Sequence, residues 1–200
     1  MWKHSTPGIP DELFERVEEV PITKEEVRAI QISKARLSPG QIVYDIGCGS
    51  GSVSIEAALQ VKPAGKVFSI DFDPKAIELT KKNIEKFQVS NITVILGNAT
   101  EKISELPIAD AIFIGGTGGD TKDILKLCES KLKSGGRIVI GTILLETLVA
   151  VLETIEKLKF SSIDVTQITV SKSRKTSTGT MMLARNPVTV ISATKNLAFN

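Results

Sequence analysis

Short β-branched runs alternate with longer amphipathic ones along most of this chain, and that alternation constrains the fold more than any other feature. Strands are expected at Ile42–Ile46, Val67–Ile70, Thr93–Leu96, Ala111–Ile114 and Arg137–Ile140, each a brief apolar run of the kind buried on both faces. Helical periodicity lies near Val53–Val61, Pro74–Phe87, Thr121–Lys131 and Leu144–Leu158, with Asp73 as an N-cap ahead of Pro74 at the first helical position. Another helix, Thr23–Arg36, precedes the first strand. Such repeats build a doubly wound α/β fold, a mostly parallel central sheet with helices on both faces. After Phe160 the texture changes. Ser162–Ser171 and Thr180–Ile191 are β-rich with no helix between them, so the sheet is expected to end in an antiparallel C-terminal strand pair joined by the polar, basic loop KSRKTSTG.

A chain of 200 residues, 42% hydrophobic and 24% charged, can bury a core without disulfide or metal staples. One domain is expected, with a segment and helix over 1–37, a ligand-binding core over 38–141, and a C-terminal helix and strands over 142–200. Cys48 and Cys128 stand far apart without neighbouring thiols or imidazoles, so no metal site is expected. No apolar run is long enough to cross a bilayer and no secretory leader is visible, which together favour a cytoplasmic protein. The formal charge of +2 is too small a bias to argue for nucleic acid by itself.

The stretch YDIGCGSGSVSIEAAL places Gly47, Gly49 and Gly51 directly behind the first strand and ahead of a helix. A turn of this kind sets backbone N–H groups and a helix N-terminus beside a ligand. It lacks the lysine of a P-loop, and its G-x-G-x-G spacing departs from the G-x-G-x-x-G of dinucleotide sites. Asp45 at the strand tip would repel a pyrophosphate but accept hydrogen bonds from an ammonium group, so a zwitterionic ligand fits better than a polyphosphate. The second strand ends in SIDFDP, where Asp71 can take both hydroxyls of a ribose. The third ends in LGNAT, where the Asn98 side chain and the Ala99 backbone can reach the edge of an adenine. Amino acid end, ribose and base are the parts of S-adenosyl-L-methionine in order.

The series DIGCGSGS, IDFD, GNA and LKSGGR resembles the Rossmann-like class I S-adenosylmethionine-dependent methyltransferases, over about Ser38 to Ile140. Further motifs narrow the resemblance: GIPDELF at Gly8–Phe14, TKEEVR at Thr23–Arg28, GGTGG at Gly115–Gly119, ILLET at Ile143–Thr147 and GTMMLARNPV at Gly179–Val188. Together they are similar to the cobalt-precorrin C15-methyltransferase (decarboxylating) family of the anaerobic cobalamin pathway. The resemblance implies methylation of a meso carbon of a cobalt-precorrin tetrapyrrole with loss of carbon dioxide from an acetate side chain, and a homo-oligomer, typically a homotetramer. It carries Thr23, Asp45, Gly47, Cys48, Gly49, Ser50, Gly51, Asp71, Asn98 and Ala99 over as cofactor-binding positions. Asn98 departs from the aspartate frequent there in the superfamily, keeping a carbonyl acceptor but losing the charge.

Gly115, Gly116 and Thr117 follow the fourth strand, where the ligand crevice of an open α/β sheet lies. Four glycines around Thr117 remove bulk, so a wide, flat substrate can approach. No [DN]-P-P-[FYW] motif for an amine acceptor is present, which suits carbon as the nucleophile. Transfer to an electron-rich carbon demands in-line placement more than a general base, so no catalytic residue is singled out. The acetates and propionates of the implied substrate would be held by Lys172, Arg174, Lys175 and Arg185, with Arg28 behind them.

Each feature has a plainer reading. The glycines alone could make a tight turn, Asp71 could cap a helix, Cys48 could be a small filler, and the basic residues could sit in a solvated loop. His4, the only histidine, falls in the terminus. Met181 and Met182 suit a sheet or subunit contact, one facing each side. An RNA methyltransferase of the same fold is the main alternative, but only 4% of residues are aromatic, which offers few stacking platforms. A non-catalytic relative that has lost the cofactor is countered by the intact glycines and Asp71.

Overall fold

The computed structural model describes residues 2–197. A short 3-10 turn (Asp11–Leu13) precedes helix α1 (Glu25–Ala35), strand β1 (Ile42–Ile46), α2 (Ser52–Val61), β2 (Lys66–Asp71), α3 (Pro74–Phe87) and β3 (Ile92–Leu96). There follow α4 (Ala99–Lys102), a second 3-10 turn (Ile103–Glu105), β4 (Ala109–Ile114), α5 (Thr121–Lys131), β5 (Leu132–Thr142) and α6 (Leu145–Lys157). The chain closes with β6 (Ser161–Ile168), β7 (Ser171–Lys175), β8 (Thr180–Ala184) and β9 (Val188–Thr194).

Seven strands form one sheet in the order β3-β2-β1-β4-β5-β9-β6. All run parallel except β9, which is antiparallel to both β5 and β6. Strand alternation divides the core. Val43, Val67, Ala111, Phe113, Val139 and Val190 face α1, α2 and α3, while Tyr44, Ile70, Ile112, Ile138 and Ile191 face α5 and α6. Asp73 caps α3 as expected, its carboxylate accepting the Lys75 N–H at 2.9 Å with Pro74 in the first turn.

The C-terminal reading needs refinement. The antiparallel pair is present as β6 and β9, but the two β-rich stretches are each divided, and β7 and β8 pair as a separate hairpin. The residues KSRK, expected in a loop, are strand. Pro187, without an N–H to donate, lies where the chain leaves β8 for β9, and the Arg185 N–H bonds Val170 O at 2.9 Å to close the hairpin root. Because β6 is parallel to β5, the hairpin projects from the carboxyl edge of the sheet. Met1 and residues 198–200, which the expected segments 1–37 and 142–200 include, lie outside the described residues.

Candidate functional site

Parallel pairing brings the ends of β1, β2, β3 and β4 to one edge, and the turn Gly47–Gly51 lies there. Every N–H of that turn already has a protein acceptor. Gly47 and Cys48 donate to Ile70 O at 2.8 and 3.1 Å, Gly49 to Asp71 Oδ2 at 2.9 Å, Ser50 to Pro21 O at 3.2 Å and Gly51 to Cys48 O at 2.8 Å. The sequence reading of open amide donors is therefore corrected. Among the described residues the Gly47 carbonyl accepts no hydrogen bond, so the turn offers a ligand an acceptor, which suits an ammonium group and not a phosphate.

The glycines serve close approach of chain to chain. Gly47 has φ +70°, and a Cβ there would stand 2.5 Å from Gly116 O. Gly49 has φ +54°, and its Cβ would meet Pro21 O at 2.7 Å. Ser50 and Gly51 are buried, and Asn83 Nδ2 donates to Ser50 O at 2.9 Å. Asn83 thus braces the turn at Ser50 from the α3 side. Cys48 is also buried, its Sγ 3.6 Å from Thr80 Oγ1, and burial pushes its thiol up beyond the range of a useful nucleophile. It is the small filler of the plainer reading.

Asp45 is only 3% exposed. Its carboxylate accepts from the Ser54 hydroxyl, which in turn accepts from Ser69 Oγ at 2.7 Å. Burial is the largest cause of its pKa being pushed up to about 6, with the neighbouring Asp71 adding to the rise and the Ser54 bond opposing it. Asp71 is fixed from two sides, accepting the Gly49 N–H at 2.9 Å and the Asp73 N–H at 3.0 Å. Asn98 is exposed, and its Oδ1 caps α4 by accepting from Thr100 N at 3.1 Å and Thr100 Oγ1 at 3.0 Å. The expected carbonyl acceptor is thus engaged, leaving the amide NH2 as its outward group. Ala99 is the first residue of α4, and its N–H has no acceptor within that helix.

On the far side of the turn, Gly115 N donates to Ile46 O at 2.8 Å, and a Cβ on Gly116 would meet nothing within 4 Å. Thr117 Oγ1 bonds Thr121 Oγ1 at 2.7 Å. Two residues before Thr23, Pro21 touches the turn, while the Thr23 carbonyl accepts from Arg28.

The basic candidates separate. Arg28 is fully buried: its Nε lies 2.6 Å from Glu56 Oε1 and its Nη1 3.3 Å from Asp11 Oδ1, with the Phe14 ring centroid 4.8 Å away. It is a structural ion-pair residue, which corrects the carboxylate-binding expectation. Glu56 also accepts the Gly8 and Ile9 N–H groups, both at 2.9 Å. Lys172 lies 3.1 Å from Glu25 and 2.7 Å from Glu26, whose hydrogen bond holds the ammonium above its ordinary pKa. Arg185 lies 3.5 Å from Glu26 and 3.8 Å from Asp11. Lys172 and Arg185 thus fasten the hairpin to the start of α1, while Arg174 and Lys175 are exposed and have no carboxylate partner among the described residues. Sequence reasoning missed this anchor and the Arg28 cluster. A glutamate inside the apolar run SVSIEAAL was the one available signal for the latter.

This strand order, with one antiparallel strand, is the fold of S-adenosyl-L-methionine-dependent methyltransferases. The family model described as "Precorrin methyltransferase domain" matches residues 12–195, and the chain belongs to that family. It is 47% identical to the "Probable cobalt-precorrin-6B C(15)-methyltransferase (decarboxylating)" of Saccharolobus solfataricus, over 97% of this chain and 98% of that protein. Among solved structures, the precorrin-6y C5,15-methyltransferase of Geobacter metallireducens superimposes with a TM-score of 0.89 at 36% identity, covering 95% of this chain and 98% of that one. The precorrin 8w decarboxylase of Methanobacterium thermoautotrophicum superimposes with a TM-score of 0.88 at 36% identity, covering 92% and 98%.

Proposed function

We propose that the chain methylates C15 of a cobalt-precorrin-6B tetrapyrrole and releases carbon dioxide from an acetate side chain, as a step of cobalamin biosynthesis. S-adenosyl-L-methionine, when bound, supplies an electrophilic methyl group on a sulfonium. The observation that carries the reading is the convergence, at one sheet edge, of the unengaged Gly47 carbonyl, the fixed Asp71 carboxylate and the start of α4, beside the side-chain-free backbone of Gly115 and Gly116.

These groups fit the donor. Gly47 O and ionised Asp45 suit its ammonium group, Asp71 its ribose hydroxyls, and the Asn98 NH2 with the Ala99 N–H its adenine nitrogens. Gly115 and Gly116 would let a flat ring close on the sulfonium, with Thr117 held back by Thr121. Rate would come mainly from placement, because the ring carbon supplies the electron pair and later loses a proton. In decarboxylation the bond from acetate to its carboxyl carbon breaks, the conjugated ring takes the electrons, and a proton returns to the CH2 group. The protein's part is to position that acetate.

The exposed apolar Met182 supports assembly as a homotetramer, to be checked by light scattering. Two buried free cysteines support a cytoplasmic location. The decisive assay combines the purified protein, cobalt-precorrin-6B and the donor. The expected product has gained one methyl in place of hydrogen and lost carbon dioxide, read by mass spectrometry. Unaltered tetrapyrrole would overturn the proposal.

A further inference from the structure

We infer that Arg174 anchors a carboxylate of the substrate, and that it alone of the four hairpin cations named above does so. This rests on the tetrapyrrole reading and assigns the side chain that recognises the substrate's acidic periphery. In the hairpin, Lys172 stands opposite Leu183 and Arg174 opposite Met181. Residues directly opposite and residues two apart on a strand share a face, so Lys172, Arg174, Met181 and Leu183 form one face and Ser173, Lys175 and Met182 the other. Lys172 identifies which face looks inward, because it reaches Glu25 and Glu26. Those residues open α1 four and five positions after Pro21, whose carbonyl accepts the Ser50 N–H of the glycine turn. Exposure agrees: Leu183 and Met181 are 37% and 46% exposed, Met182 63%.

Arg174 therefore stands on the inward face, roughly 7 Å along the strand from Lys172 toward the tip, over the same edge as Gly47 and Gly116. Lys172 and Arg185 are neutralised by Glu25, Glu26 and Asp11. Lys175 points away. What remains for a substrate is one planar guanidinium, which can grip an acetate or propionate through two parallel N–H···O bonds. The root ion pairs fix where that guanidinium is carried. Alongside, β5 pairs with β9 through Thr142 and Thr189, so Ile143, Leu144 and Leu145, exposed at 64%, 57% and 75%, lie beside the hairpin root as an aliphatic surface for the ring.

The test is steady-state turnover of cobalt-precorrin-6B by wild type, Arg174→Gln, Arg174→Lys and Lys175→Gln, with calorimetry of S-adenosylhomocysteine on each. Arg174→Gln is expected to raise KM for the tetrapyrrole by about tenfold or more without altering S-adenosylhomocysteine affinity. Arg174→Lys should recover part of the loss, and Lys175→Gln should lose less. Equal losses at both positions, or an unchanged KM in Arg174→Gln, would overturn the inference while leaving the function standing. No turnover by the wild type would overturn the function and this inference with it.

Discussion

Gly49 donates its backbone N–H to Asp71 Oδ2 across 2.9 Å, tying the turn after β1 to the last residue of β2. One carboxylate thereby both holds the turn and stands ready for the donor's ribose. Asp71→Asn should weaken S-adenosylhomocysteine by about 1–3 kcal/mol, the range for losing hydrogen bonds to a charged group. Calorimetry measures this directly, and wild-type affinity in the variant would refute the ribose assignment.

Asp45 predicts a pH dependence. The folded chain holds its proton more tightly than the unfolded chain, with a pKa near 6 against 3.8, chiefly because the group is buried. Its contribution to stability is therefore greatest below about pH 4 and declines as pH rises toward about 6. Ligand binding should run the other way, since an ammonium group prefers the ionised form. S-adenosylhomocysteine affinity is expected to fall as pH drops below about 6, by at most roughly tenfold per unit, and to lose that dependence in Asp45→Asn. A flat wild-type profile from pH 7 down to about 5 would remove Asp45 from the ammonium site.

Arg28 should be among the costliest side chains to remove. With Glu56 left without its counter-charge in the interior and Asp11 keeping only Lys24 and Arg185 at 3.8 Å, Arg28→Leu is expected to lose about 3–5 kcal/mol of stability. Urea denaturation is the measurement, and a loss below about 1 kcal/mol would mean that the cluster is no stronger than a surface pair.

Gly47 and Gly116 should respond differently to alanine. Gly47→Ala demands a positive φ from alanine and drives its Cβ into Gly116 O, so both stability and cofactor affinity should drop, the former by about 1–3 kcal/mol. Gly116→Ala meets nothing and should keep the fold and the affinity for S-adenosylhomocysteine while slowing turnover of the bulky acceptor. Undiminished tetrapyrrole turnover in Gly116→Ala would show that the acceptor does not approach along that wall.

Local chemistry made some elements legible. β1 at Ile42–Ile46 and α3 at Pro74–Phe87 have the expected bounds, since a buried β-branched run and an Asp-Pro helix start act within a few residues. β5 (Leu132–Thr142) is longer than the expected Arg137–Ile140 because Ser134, Gly135 and Gly136 look like a loop in sequence. They extend the strand through pairing with a distant segment, Gly135 N to Lys195 O and Lys195 N to Gly136 O, both at 2.9 Å. The division between sheet and hairpin near Val170 and Pro187 is likewise long-range. At the site, residue types announced the ligand correctly but not the direction of the backbone groups. Where the turn's N–H groups point depends on Ile70, Asp71 and Pro21, remote in sequence from Gly47.

The pairing of Glu56 with the Gly8 and Ile9 amides makes the segment Gly8–Asp11 a keystone for a carboxylate that sits in the middle of α2. A shortened chain beginning after Asp11 would strip Glu56 of its two amide donors and Arg28 of one counter-ion at a single stroke. Trimming this segment to obtain a minimal catalytic core should therefore yield insoluble protein.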